Sequence, residues 1–329
     1  MLNFALLGAG RIGRLHAANI AAHPKARLLL VADAVPASAA DVAAMHGATV
    51  ASVEAALASA EVDAVLIATS TDTHAPLIEA AAAAGKAILC EKPIDLDIGR
   101  ATAAVRAAAA AGVPLAVGFN RRFDASFASL KARLDAGAVG TPEIVSIASR
   151  DPAPPPVSYI KVSGGLFRDM MIHDLDMARW LLGEEPVEVY AMGSALVDPG
   201  IAAAGDVDTA VVTLRTASGR LAQISNSRRA AYGYDQRIEC HGSMGMIRAD
   251  NLRATTVEVA TADGFARDPV LHFFLERYAP AYRAELDAFV EAVAAGRPPA
   301  PTGEDGLAAL RLADAAQQSL ETGARVRLG

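Results

Sequence analysis

Two stretches of this chain place groups that can do acid–base chemistry. Asp169 and His173 lie four residues apart in the segment GGLFRDMMIHDLDMARW (Gly164–Trp180), a run with helical spacing. Residues i and i+4 share one face of a helix, so a carboxylate there sits beside an imidazole. Such a carboxylate fixes the ring tautomer and stabilises the imidazolium once the ring has taken a proton. The second stretch is Glu91-Lys92-Pro93, which follows a short apolar run. The proline restricts Lys92 towards extended geometry and so gives its ammonium a defined direction. Blander readings stand beside both: a surface ion pair worth about 0.2–0.5 kcal/mol for Asp169 and His173, and a turn lysine for Lys92. Asp174 and Asp176 raise a metal site, but they fall on other helical faces than His173 and no third ligand converges in sequence, so no metal is expected.

A third motif opens the chain. Gly8-Ala9-Gly10-Arg11-Ile12-Gly13 follows a predicted strand and begins a predicted helix. Its three glycines permit a tight turn, close approach of a diphosphate and close helix packing, while Arg11 and Ile12 lie where the helix N-terminus offers free N–H groups to phosphates. Asp33 ends the next strand, twenty residues after Gly13, where a carboxylate binds the ribose hydroxyls of a dinucleotide. A carboxylate accepts from a ribose diol but repels a 2′-phosphate. Ala34 follows it in place of an arginine, so NAD is the expected cofactor. Asp33 as a simple strand-end turn residue is the alternative. Thr69 and His74 flank the loop TSTDTH after another apolar strand, and Glu91 and Lys92 follow a further one. Loops at the carboxyl ends of such strands line the ligand crevice, which puts all four near the nicotinamide. For His74 a structural role is an equal alternative, with Thr73 capping the next helix.

These motifs need a scaffold, and size and composition bound it. A chain of 329 residues, 53% of them hydrophobic, has material for two domains. The net charge of −7, with no Lys/Arg-rich run, disfavours nucleic acid as a partner. Two cysteines, Cys90 and Cys240, make no disulfide framework and fit a reducing cytoplasm. Leu2–Leu7 lacks the basic flank and length of a signal peptide, and the Ala-rich tracts read as helices, not membrane spans.

Short apolar strands (Asn3–Leu7, Leu28–Ala32, Ala64–Ala68, Ala87–Cys90, Leu115–Phe119) alternate with helices (Ile12–Ala22, Pro76–Ala84, Ile98–Ala111) over the first 120 residues. That pattern predicts an α/β Rossmann domain, a doubly wound parallel sheet covered on both faces. From Glu143 onward strand-like runs follow in quick succession, broken by a helix around Asp169–Leu182. They predict an α+β domain with an open, largely antiparallel sheet. The expected division is 1–121 and 122–329, with helices Ala281–Ala295 and Asp305–Glu321 packing back on the first domain.

GAGRIG, CEKP and the Asp169–His173 pair resemble the glucose–fructose oxidoreductase/inositol dehydrogenase/rhizopine-catabolism family over nearly the whole chain. EKPIDLD (91–97), GFNRRFD (118–124), SRDPAP (149–154), YGYDQRIE (232–239) and FFLERYAPAYRAEL (273–286) are narrower and look like the inositol 2-dehydrogenases within it, especially the actinobacterial type. The resemblance implies a catalytic trio of Lys92, Asp169 and His173 acting on a small neutral polyol. It implies polyol contacts from Asn120, Arg121, Asp151, Met170, Tyr234 and Tyr282, and a homotetramer. Packing is the alternative for Met170 and Tyr282, and a solvated basic pair for Arg121–Arg122. Scyllo-inositol, D-chiro-inositol or glucose remain open as substrates, as does a dinucleotide-sensing regulator. Met244 stands where the family would have lysine, and the loop Val197–Val207 carries no readable motif.

Overall fold

The computed structural model describes all residues from Met1 to Gly329, and the chain falls into two compact units: Met1–Asn120 with Tyr282–Leu310, and Arg121–Ala281 with Arg311–Gly329. The first break lies one residue before the expected border; Tyr282–Leu310 groups with the nucleotide-binding half, but Arg311–Gly329, which holds most of the second helix expected to pack there, groups with the other unit.

In the first unit six parallel strands, β1 (Leu2–Leu7), β2 (Ala26–Ala32), β3 (Thr49–Val50), β4 (Ala64–Ile67), β5 (Ala87–Cys90) and β6 (Leu115–Val117), take the order β3-β2-β1-β4-β5-β6. β4 and β5 are buried at every position, because helices cover both faces. Helix ends follow local chemistry. Asp97 accepts from the Arg100 N–H at the start of helix Ile98–Ala111, and Gly112 closes that helix in the left-handed region. The returning helix Ala279–Ala294 contributes Leu286, Phe289 and Val290 to the core around β1, with the Phe289 ring 6.0 Å from that of Phe4. Helices Pro36–His46 and Val53–Ala58 were not anticipated; both are short and Ala-rich, with weak periodicity.

The second unit holds β7 (Pro142–Arg150), β8 (Pro186–Ser194), β9 (Thr209–Thr216), β10 (Leu221–Ser227), β11 (Asp235–Gly242), β12 (Gly245–Ala249), a separate hairpin of β13 (Glu258–Thr261) and β14 (Gly264–Arg267), and β15 (Val326–Arg327). Seven of these form one sheet in the order β12-β11-β7-β10-β9-β8-β15. It is antiparallel except where β10 pairs with β7 in parallel. Side chains alternate along β9, one face buried and one exposed. Helix Ile172–Leu182 packs on the covered face against β7 and β10. Ile144, Leu221, Val211 and Met192 occupy the uncovered face, where Leu221 registers with Ile144 and Val211 with Met192.

This unit spends buried charge on its internal joints. Asp124 caps helix Ala125–Asp135 by accepting from the N–H groups of Ser126 and Phe127, both at 3.1 Å, and its other oxygen accepts from the buried Arg277. Removing one partner of a buried pair leaves the other charge uncompensated. Asp124→Ala is therefore expected to lower unfolding free energy by about 3–5 kcal/mol in urea titrations; a loss below about 1 kcal/mol, the size of an ordinary cap, would show that Arg277 needs no such partner.

Candidate active site

The nucleotide half begins at the switch point between β1 and β4, where the strand order reverses and ligands bind in sheets of this kind. Gly8 has φ +102° and touches the neighbouring strand end: a Cβ there would stand 2.4 Å from the Ala68 carbonyl oxygen. A Cβ on Gly13 would stand 2.0 Å from the Gly8 carbonyl oxygen, so the first turn of helix Arg11–Ala22 packs directly on the loop. Gly10 has open space around it instead. Gly10 and Arg11 are exposed at that helix N-terminus, and Ile12 is half-buried. The loop is thus tight where backbone meets backbone and open where a diphosphate approaches, and the residues fit NAD. Asp33 accepts from the N–H groups of Ala9 (2.6 Å) and Val35 (2.7 Å), which ties the loop to the end of β2. Each carboxylate oxygen keeps a further lone pair for a ribose hydroxyl.

Further along the rim, His74 is buried with Nδ1 2.8 Å from the Pro93 carbonyl and Nε2 3.2 Å from the Thr69 carbonyl. Burial holds its imidazole below the ordinary range, even though both carbonyls favour the protonated ring. His74 clips the β4 loop to the turn that carries Lys92, the structural alternative left open by its sequence position. Thr73 precedes helix His74–Ala83 without a capping bond to it, and its hydroxyl meets that of Thr69 at 2.6 Å. Glu91 accepts from His16 Nε2 at 2.8 Å. Burial raises the Glu91 carboxyl, but His16 and the neighbouring charge of Lys92 more than reverse this and hold it ionised. The buried Glu285 carboxyl is pushed well above its ordinary range by burial and by Glu91. His16 and Glu285 carried no signal as isolated residues in helical runs.

In the second unit, the segment expected as one helix is two. Phe167–Met171 forms a π-turn, and the α-helix begins at Ile172. Asp169 sits in the widened turn and His173 in the first turn of the helix; such π insertions recur at functional sites. Asp169 accepts from Tyr159 Oη at 2.9 Å and from Arg228 Nη2 at 3.2 Å, two partners the sequence did not reveal. Met170 is buried in the π-turn. Asp174 and Asp176 resolve as structural. Asp174 is fully buried between Arg121 Nη1 (2.5 Å) and Asn226 Nδ2 (2.9 Å), and Asp176 accepts from Arg122 Nε at 2.8 Å. Arg121–Arg122 is therefore no solvated pair. No group of three or more His, Cys, Asp and Glu is arranged to hold a metal ion.

The polyol candidates differ in setting. Arg121 is buried, its guanidinium bound to Asp174, near the Ser149 and Tyr234 hydroxyls, and 5.7 Å over the Tyr278 ring. Tyr234 is buried in the same network, and burial pushes its phenol well above the ordinary range. In the first unit, Asn120 is buried, and the Tyr282 ring stands edge-on to His16 at 5.5 Å, a packing contact. Asp151 follows β7, half-buried; burial raises its carboxyl to about 6, with Asp169 and Asp174 adding to the rise and Arg228 and Arg121 opposing it.

A Rossmann unit followed by an open-sheet unit defines a class of nicotinamide-dependent oxidoreductases. Residues 2–119 match the oxidoreductase family with NAD-binding Rossmann fold, and residues 127–248 match the GFO/IDH/MocA C-terminal domain. The chain belongs to the GFO/IDH/MocA oxidoreductase family and binds NAD. It is 54% identical to the inositol 2-dehydrogenase of Rhizobium meliloti, with 97% of each chain covered. The crystal structure of a myo-inositol dehydrogenase from Corynebacterium glutamicum superposes with a TM-score of 0.96 at 46% identity, covering 100% of this chain and 99% of that one. That of scyllo-inositol dehydrogenase from Lactobacillus casei, with bound NAD(H) and scyllo-inositol, superposes with a TM-score of 0.92 at 32% identity, covering 99% of each chain.

The Asp151 carboxyl yields a stability test. Its folded value of about 6 lies above the unfolded value of roughly 3.9. The folded state binds this proton more tightly, so ionisation costs stability as pH rises through that window, and the cost is complete above it. Asp151→Asn removes the cost. The variant should gain about 3 kcal/mol over the wild type at pH 8 and almost nothing at pH 3; a difference independent of pH in denaturant titrations would contradict this.

Proposed function

We propose that this chain is an NAD-dependent inositol 2-dehydrogenase that oxidises myo-inositol to 2-keto-myo-inositol (scyllo-inosose). The observation that carries the reading is its 54% identity, end to end, with the inositol 2-dehydrogenase of Rhizobium meliloti. Lys92, Asp169 and His173, the trio implied by family resemblance, are all present.

Each residue has a task in that reaction. NAD, when bound, supplies the nicotinamide carbon that takes hydride. His173 accepts the hydroxyl proton, and an imidazole with an ordinary value of roughly 6.5 does so near neutrality. Asp169 orients that ring and stabilises its charged form. Lys92 hydrogen-bonds the reacting oxygen and favours its alkoxide character. Gly8, Gly10, Arg11, Ile12, Gly13 and Asp33 hold the dinucleotide, and Thr69, His74 and Glu91 shape the rim around Lys92. Asp151, Asn120, Arg121, Met170, Tyr234 and Tyr282 are the proposed polyol-side residues. Asp151 and Asn120 act by direct contact; the buried Arg121 and Tyr234 act by fixing Asp174 and the surface behind it.

The apolar residues on the uncovered sheet face support a homotetramer assembled through that face. No helix is long and apolar enough to cross a membrane, and both cysteines are free and buried, which supports a reducing cytoplasmic setting.

The test is a panel of myo-, scyllo- and D-chiro-inositol and glucose with NAD, followed by NADH absorbance. Myo-inositol is expected to give the highest kcat/KM. His173→Ala should lower turnover by about 10²–10⁴-fold with NAD affinity nearly kept. Preference for scyllo-inositol would move the substrate assignment, and full activity in the alanine variant would remove His173 from its role.

A further inference from the structure

The charge around Asp169 is the least expected feature of the second unit. Arg228 follows β10 and is 1% exposed. Its backbone N–H is held by the Asp208 carbonyl at 2.8 Å. Asp208 is itself fixed, its carboxylate accepting from the N–H groups of Leu196, Val197 and Asp198. The guanidinium therefore arrives at Asp169 from an anchored backbone. Its Nη2 donates to Asp169 Oδ2 at 3.2 Å, and Tyr159 Oη, from helix Val157–Ser163, donates to Oδ1 at 2.9 Å. Asp151, from the loop after β7, lies in the field of the same guanidinium and of Asp169, with Arg121 and Asp174 beyond it.

A carboxylate beside an imidazole raises the proton affinity of the ring. Asp169 alone would thus favour a ring already protonated at neutral pH, which cannot act as a base. The buried Arg228 guanidinium bound to that carboxylate offsets its pull on the ring. Charge interactions at such a site are stronger than in water.

We propose that Arg228 is a positioning residue of the acid–base pair: by offsetting the charge of Asp169, it leaves His173 unprotonated and ready to accept a proton at neutral pH. Arg228 touches neither cofactor nor polyol in this role and acts through Asp169. Tyr159 aligns the second carboxylate oxygen without changing the charge. Asp151 draws on the same guanidinium, so its ionisation weakens the offset that Arg228 gives Asp169. The inference rests on His173 being the base of the proposed reaction.

The readout is the position of the acid limb in kcat/KM against pH, with myo-inositol and saturating NAD. Arg228→Met should move that limb to higher pH by about one unit, with kcat/KM at pH 7 reduced by about threefold and the NAD dissociation constant within about twofold of wild type. Arg228→Lys, which keeps a cation, should leave the limb within about 0.3 unit. Asp151→Asn removes a negative charge and should move it the opposite way, to lower pH. This decides the matter should Arg228→Met fail to fold. An unmoved limb in Arg228→Met, or an upward or absent shift in Asp151→Asn, would overturn the role of Arg228 while leaving His173 as base. Full activity of His173→Ala would instead remove the reading beneath it.

Discussion

A buried carboxylate must be met by a partner wherever it lies, and Asp174 imposes that condition on the second unit. It is fully buried, and burial raises its carboxyl despite the guanidinium beside it. Arg121 and Asn226 satisfy its two oxygens. Arg121 starts the unit and Asn226 lies on β10, so the three groups fix the rotation of helix Ile172–Leu182 against the sheet. Asp176, bound to Arg122, repeats the constraint one step along. Once those two acids point inward, His173 is displaced around the helix from both and stays half-buried. Such pairs add little net stability over apolar packing, but they penalise any other register heavily. Placement of the proposed base is thus a consequence of where neighbouring charge can be tolerated.

The nucleotide half obeys a different constraint, set by backbone volume. Gly8 and Gly13 are required because any Cβ there would overlap a carbonyl oxygen, whereas Gly10 leaves room for a ligand. Asp33 then does two things with one carboxylate: it ties the loop through Ala9 and leaves acceptor capacity for a ribose. His74 makes a comparable joint further along the same rim, linking the β4 loop to the carbonyl just after Lys92. The turn that carries Lys92 is thus held by a buried ring as well as by its proline.

What could be read from the chain alone tracks how local the physics is. The five apolar strands of the first sheet and the glycine turn are legible because burial on both faces and backbone crowding leave marks over a few residues. The helices Pro36–His46 and Ala125–Asp135 are not, since alanine-rich or mixed runs have little periodicity. The π-turn at Phe167–Met171 is invisible to a spacing argument, as it inserts into an otherwise helical pattern. Asp169 and His173 stand out by spacing, but Tyr159 and Arg228 lie 10 and 59 residues from Asp169 and become partners only through the fold. A solvated pair is one sequence reading of Arg121–Arg122, and Arg228 carries no signal there; each of the three is buried or largely so, and each is matched to an aspartate.

The central claim is direct transfer of hydride from the carbinol carbon of an inositol to NAD, with the chain supplying the proton acceptor. Myo-inositol bearing deuterium at C2, incubated with the enzyme and NAD, tests it most directly. The predicted result is one deuterium at C4 of the nicotinamide in NADH for each ketone formed, with slowed turnover where chemistry limits the rate. Deuterium released to water, or retained in the polyol while NADH accumulates, would contradict it.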